Sequence, residues 1–157
     1  MDKKLKRVLV INSKATIESV YAALILANGA LSEGMEAEMF FTFFGLEAIH
    51  KEKAKHLHVA TVGNPAMHIP TVVGAIPGME ALATSMMMKG MEELDIPNVP
   101  DFLDMIKAAG GKVYGCKLAM QMFKLEAKDM RDDLDGILTV GEFYQRANVD
   151  GAQIIFV

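Results

Sequence analysis

Residues Arg7 to Ile11 (RVLVI) form a continuous apolar run rich in β-branched side chains. A half-buried strand alternates apolar and polar residues, so an unbroken run of this kind suits a strand buried on both faces, as in a parallel sheet. Parallel crossovers place helices on both faces of such a sheet. This one segment therefore predicts a layered α/β protein, and the rest of the chain can be searched for the same rhythm.

The rhythm is there. After Asn12 and Ser13, the residues Ile17, Val20, Tyr21, Leu24, Ile25 and Leu31 share one side of a helix that Gly34 closes at a C′ position. Glu38 to Phe44 (EMFFTFF) reads as a second strand, and Gly45 to His50 as the start of a short second helix. Pro97 to Ala109 reads as a helix with Phe102, Met105, Ile106 and Ala109 on its apolar face, stopped by Gly110 and Gly111. Lys112 to Gly115 follows as a third strand, then a helical stretch from Lys117 to Leu125. Gly136 to Leu138 makes a short fourth strand. Thr139 and Glu142 have capping-box spacing and open a helix to about Asn148; Ala152 to Val157 is the fifth strand. The expected fold is a three-layer α/β/α sandwich with a mostly parallel five-stranded sheet, in a single domain spanning residues 1–157.

One segment breaks the pattern. His50 to Asp95 is far longer than an ordinary connection, and is read as an apolar, Met-rich insertion at about 51–95. It holds Met67, Met79, Met86, Met87, Met88 and Met91, and has no formally charged side chain from Val59 to Met79. Pro65, Pro70 and Pro77, with Gly63, Gly74 and Gly78, argue against one continuous membrane-spanning helix. The expectation is an adaptable apolar flap facing a partner, a neighbouring subunit or the reactive edge, or else a segment packed on its own core. His50, His56, His58 and His68 all fall in or beside it. His56 and His58 project the same way on an extended backbone, but no cysteine or acidic residue completes a familiar ligand spacing, so no metal site is assigned.

Cys116 is the only thiol in 157 residues, and it stands where the third strand gives way to a helix. Free N–H groups and the positive dipole end at a helix start favour an anion, so a thiolate there gains nucleophilicity. The bland alternative is a cysteine packed as a small hydrophobe. One cysteine excludes an internal disulfide framework. With no signal-peptide pattern in MDKKLKRVLVIN, the expected location is cytoplasmic. A net charge of −4, from 16 basic and 20 acidic side chains, comes without a basic cluster, which argues against a nucleic-acid partner. The apolar content of 52% exceeds what most soluble domains carry, and a subunit interface would absorb the excess.

Spacing tests the thiol chemistries. A CxxC pair fails because Ala119 occupies the partner position. Residues 117 to 123 read KLAMQMF, with no arginine to clamp a phosphate or hold an anionic sulfur donor. Ala109 and Val113 stand where a peroxiredoxin has proline and threonine, and no GxGxxG or P-loop follows the first strand. No bound cofactor is expected. What remains is one thiolate that accepts a group and gives it up.

The strings RVLVIN, GGKVYGC, LDGILTVGEFYQRA and DGAQIIFV, in this order, resemble the DsrE/DsrF/DsrH family of small sulfur-trafficking proteins, which includes the TusBCD relay components. The resemblance covers nearly the whole chain, and is closest to a longer DsrE-like branch with a Met-rich insertion, as residues 59–91 are here. It implies a cysteine-persulfide sulfur carrier or sulfurtransferase in which Cys116 receives a sulfane sulfur from a donor protein and passes it to an acceptor protein. A persulfide is more acidic than a thiol, so a helix start would stabilise the loaded state. Gly115 would let the donor approach closely, and Lys112 and Lys117 would add positive potential. The family's trimers or hexamers imply a homo-oligomer. The reading of a different class is a non-catalytic module whose Met-rich insertion docks a protein or makes peripheral membrane contact.

Overall fold

Five strands, β1 (Arg7–Asn12), β2 (Glu36–Phe41), β3 (Lys112–Cys116), β4 (Gly136–Leu138) and β5 (Ala152–Phe156), pair in the order β4-β3-β2-β1-β5. Every pairing is parallel. The computed structural model describes residues 4–62, 66 and 68–157. Gly63, Pro65 and Met67 of the insertion lie outside the described residues.

The strand order sorts the helices into layers. The steps β1 to β2 and β2 to β3 run the same way along the sheet, so right-handed crossovers put α1 (Ile17–Ser32) and α3 (Val99–Ala108) on one face. The Tyr21 and Phe102 rings, 6.2 Å apart, join those two helices. The step from β4 to β5 runs the other way, and α5 (Val140–Ala147) lies on the opposite face, with Phe143 stacked on Phe40 of β2 at 4.8 Å. Between the layers Leu9, Val10, Met39, Phe41, Val113 and Leu103 are fully buried. Each such side chain contributes about 1.5–3 kcal/mol.

Local chemistry sets the helix ends. α1 stops where Gly34 turns left-handed (φ 75°), while the Met35 N–H donates to the Ala30 carbonyl at 2.9 Å. The Asn98 side chain caps α3 by accepting from the Asp101 N–H at 3.0 Å, with Pro100 in the first turn. The Thr139–Glu142 capping box forms as the spacing predicts.

Three elements differ from expectation. β2 begins at Glu36 and ends at Phe41; Phe43 turns left-handed (φ 47°) and opens a 3-10 helix, Phe43–Ile49. That helix presses on β1, because a Cβ on Gly45 would sit 2.3 Å from the Asn12 carbonyl oxygen. The run EMFFTFF therefore divides, with Phe40 and Phe41 in the sheet and Phe43 and Phe44 outside it. The helix after the cysteine, α4 (Lys117–Met122), is shorter than the predicted Lys117–Leu125. It ends because Lys124 takes a left-handed φ of 55° and the Leu125 N–H closes on the Met120 carbonyl at 2.8 Å. Finally, the insertion contains α2 (Met79–Glu93), an element the breakers in this segment had hidden. Leu, Ala, Met and Glu are strong helix formers, and all of its described breakers except Gly90 precede it.

Candidate functional site

Cys116 ends β3 and is the N-cap residue of α4, with extended dihedrals (φ −79°, ψ 117°). It is 4% exposed and belongs to the apolar core. Its register partner is Leu138 of β4, and Tyr114 on the same face pairs with Phe40 of β2. Side chains alternate along a strand, so Cys116, Tyr114, Phe40 and Glu38 share the face that α5 covers.

α5 is capped at its start and fastened to that face toward its end. At its start the Glu142 carboxylate accepts from the Thr139 N–H at 2.7 Å, and the Thr139 hydroxyl accepts from the Glu142 N–H at 3.2 Å. The Thr139 hydrogen bonds, with some help from the Lys117 charge, hold the Glu142 carboxyl below the usual carboxylate range. Toward its end, Arg146 donates twice to buried Glu38, at 2.6 and 2.9 Å, and lies 4.6 Å over the Tyr114 ring. Burial, then the Glu38 charge, pushes the Tyr114 phenol above its ordinary value.

The supporting residues are dispersed. Lys117 is exposed beside Cys116. Lys112 is at the far end of β3, about 13 Å along the strand, where it pairs with Asp135 at 3.5 Å. Burial opposes ionisation of Asp135, yet hydrogen bonds from Lys107 and the Val113 N–H hold its carboxyl below the ordinary range. Gly115 is buried on the other face. A Cβ there would meet Ile49 and Met120 at 3.5 Å, so the residue looks into packed side chains rather than along an approach path.

Two of the histidines have local partners. His50 Nδ1 accepts from the Glu52 and Lys53 N–H groups at 3.1 and 3.4 Å, and His58 lies 3.5 Å from Glu80. Among the described residues, no group of three or more His, Cys, Asp or Glu is arranged to hold a metal ion. The insertion is tied to the start of α1, where the Ile17 N–H donates to the His58 carbonyl at 2.9 Å and the Ala60 N–H to Glu18 at 3.1 Å. That places residues 58–60 by the end of β1, two strands from β3, whereas the insertion starts beside the β3–β4 connection, where the Lys51 N–H donates to the Asp129 carbonyl at 3.0 Å.

Two features escaped the sequence reading. Phe43, Phe44, Leu118, Met122 and Phe123 are all exposed at the carboxyl ends of β2 and β3. The spacing of Leu118 and Met122, opposite Ala119 and Met120, was the available signal. Asn12 is fully buried at the end of β1, and neither polar atom of its side chain has a partner among the described residues. A single asparagine after an apolar run carries no such signal.

The chain is thus a small parallel α/β sandwich whose sole thiol ends β3, at the carboxyl edge of the sheet. Sequence comparison gives the family: a model of the DsrE/DsrF/DrsH-like family matches residues 4–155, and the chain belongs to that family. The chain is 28% identical over 138 residues to the sulfur carrier protein DsrE2 of Allochromatium vinosum, covering 83% of this chain and 86% of the relative. It is 24% identical over 140 residues to the uncharacterised protein YrkE of Bacillus subtilis, covering 86% and 88%. In fold it is similar to YchN of E. coli (TM-score 0.59, 14% identity, covering 98% of this chain and 99% of that one). It is also similar to MTH1491 of Methanobacterium thermoautotrophicum, a protein of unknown function (TM-score 0.61, 8% identity, covering 97% and 99%).

Proposed function

We propose that the protein is a sulfur carrier that takes a sulfane sulfur onto Cys116 as a persulfide and hands it to the thiol of an acceptor protein. The observation that carries this reading is the placement of the chain's only thiol at the strand-to-helix junction, in a family with a relative named as a sulfur carrier. In loading, the Cys116 thiolate attacks the outer sulfur of a donor persulfide and the donor leaves as its thiolate. In delivery, the acceptor thiolate attacks the outer sulfur on Cys116, which is released as a thiolate. Electrons balance within each exchange, so neither step needs an oxidant or a bound cofactor.

Burial of Cys116 fits a carried group that must be kept from stray thiols. Apolar Tyr144, Ile154 and Phe156, exposed along α5 and β5, would serve the homo-oligomer, a trimer or hexamer, that belongs to this reading. A reducing cytoplasm would keep the lone cysteine free.

The test is intact-protein mass spectrometry after exposure to a low-molecular-weight persulfide. Wild type gains about 32 Da per sulfur, mapped to Cys116 and transferable to a second thiol, and Cys116→Ala gains nothing. An unmodified wild type beside a turned-over donor would sink the reading. One observation favours a second reading, a binding module acting through the insertion: α2 has no buried residue. No helix among the described residues is long and apolar enough to cross a membrane.

A further inference from the structure

Exposed apolar residues gather at the carboxyl ends of β2 and β3, the edge on which Cys116 lies. Phe43 and Phe44 follow β2, and Leu118, Met122 and Phe123 come from α4 after β3; the two strands are neighbours, and the Phe44 and Phe123 rings meet at 5.6 Å. Phe44 is 61% exposed and Leu118 67%. Two left-handed, non-glycine residues, Phe43 (φ 47°) and Lys124 (φ 55°), bound the patch. That conformation is costly for a bulky aromatic, and the Phe43 side chain nevertheless stays in solvent. The charges around the patch are unequal. Glu47 is paired with Lys53, Glu126 with Lys128, and Glu142 is committed to the Thr139 cap. Lys117 and Lys124 form no close ion pair among the described residues, Lys117 acting only at longer range on Glu142, although the whole chain is acidic.

From this we infer that Phe43, Phe44, Leu118, Met122 and Phe123 form the docking face for the protein that exchanges sulfur with Cys116, and that this partner presents its cysteine on an apolar segment with acidic flanks. The inference rests on the carrier reading for its purpose. Its geometry is tested by a reaction that needs no sulfane sulfur. Lysines at a rim raise association rates with acidic partners in a salt-dependent way, while the apolar centre supplies contact area.

Two short synthetic peptides serve as probes, each with one cysteine between leucine and phenylalanine, flanked by glutamates in one and lysines in the other. Both are converted to mixed disulfides with thionitrobenzoate. The Cys116 thiolate attacks the peptide sulfur, the old S–S bond breaks, and thionitrobenzoate leaves as a coloured thiolate, so each exchange is counted optically. Each rate is divided by that peptide's rate with free cysteine.

The acidic peptide is expected to react about tenfold faster than the lysine peptide at low salt, with the ratio falling toward one at high salt and in a Lys117→Ala/Lys124→Ala variant. A Phe44→Ser/Leu118→Ser variant should slow both peptides while leaving the 2-mercaptoethanol–thionitrobenzoate disulfide unaffected. Equal rates for the two peptides overturn the inference. So does a patch variant that slows the small disulfide to the same degree, and so does a chain whose thiol reacts with every probe only after unfolding. Dissociation of an oligomer by the patch variant, seen by sedimentation, would assign the face to a second copy of this chain and equally overturn it. A persulfide failure in the mass experiment leaves these rates readable, so the two ideas fail separately.

Discussion

Helix α1 buries Ile17, Val20, Tyr21, Ala23, Leu24, Ala27 and Ala30, whereas α2, of nearly the same length and also apolar, has no fully buried residue. α1 lies between β1, β2 and α3. α2 is attached more loosely: Met87 and Met91 pack partly buried against the core, the Val59 N–H donates to the Thr84 hydroxyl at 3.2 Å, and Glu80 faces His58 at 3.5 Å. Between α2 and residues 59–62 and 69–74 is a cavity of about 550 Å³ lined by Val59, Val73, Leu82, Met86 and Met87. The contrast separates two uses of hydrophobic residues. In α1 they are shape-matched to β1 and β2, while in α2 flexible thioethers leave apolar surface unspent.

The comparison is sharpened first by truncating the framework. Leu103 on α3 is fully buried, and Leu103→Ala should cost about 2–5 kcal/mol, read as a lowered denaturant midpoint with an unchanged slope. Next comes the clasp over the cysteine face. Arg146→Ala removes the bidentate partner of Glu38, which is 5% exposed, and leaves Arg7 at 3.8 Å as the remaining cation. Its expected cost is about 3 kcal/mol, and a loss under about 1 would mean that Glu38 finds water in the folded state. The smallest effect belongs to the arm. Leu82→Ala should change stability by less than about 0.5 kcal/mol, and α2 amides should exchange with deuterium before those of α1. A Leu82 cost as large as that of Leu103 would break the comparison and place α2 in the core.

Much of this arrangement was readable beforehand because the determinants are local. RVLVI as a doubly buried strand, Gly34 as a helix stop and the Thr139–Glu142 box each depend on a few adjacent residues, and all formed. Strand order and face were not local properties, so Gly115 and Lys112 were grouped with Cys116 from sequence neighbourhood alone. Pleat alternation turned Gly115 inward, and strand length carried Lys112 away. The EMFFTFF run failed as a guide because hydropathy does not record where a chain leaves the sheet; the contact of Gly45 with Asn12 decides that, and it joins residues far apart in sequence. α2 was obscured by the prolines and glycines ahead of it.

β1 has one neighbour that is made soon and one that is made very late. It pairs with β2 from Arg7 and Glu36 onward, but its other edge pairs with β5, Arg7 against Ala152. A chain emerging from the ribosome therefore holds β1 with one row of backbone groups unpaired until β5 has been synthesised, and the sheet cannot be completed from the amino-terminal side. Such a nascent chain is exposed to strand-edge association throughout that interval, so its yield in the cell should depend on how quickly the α5–β5 segment follows.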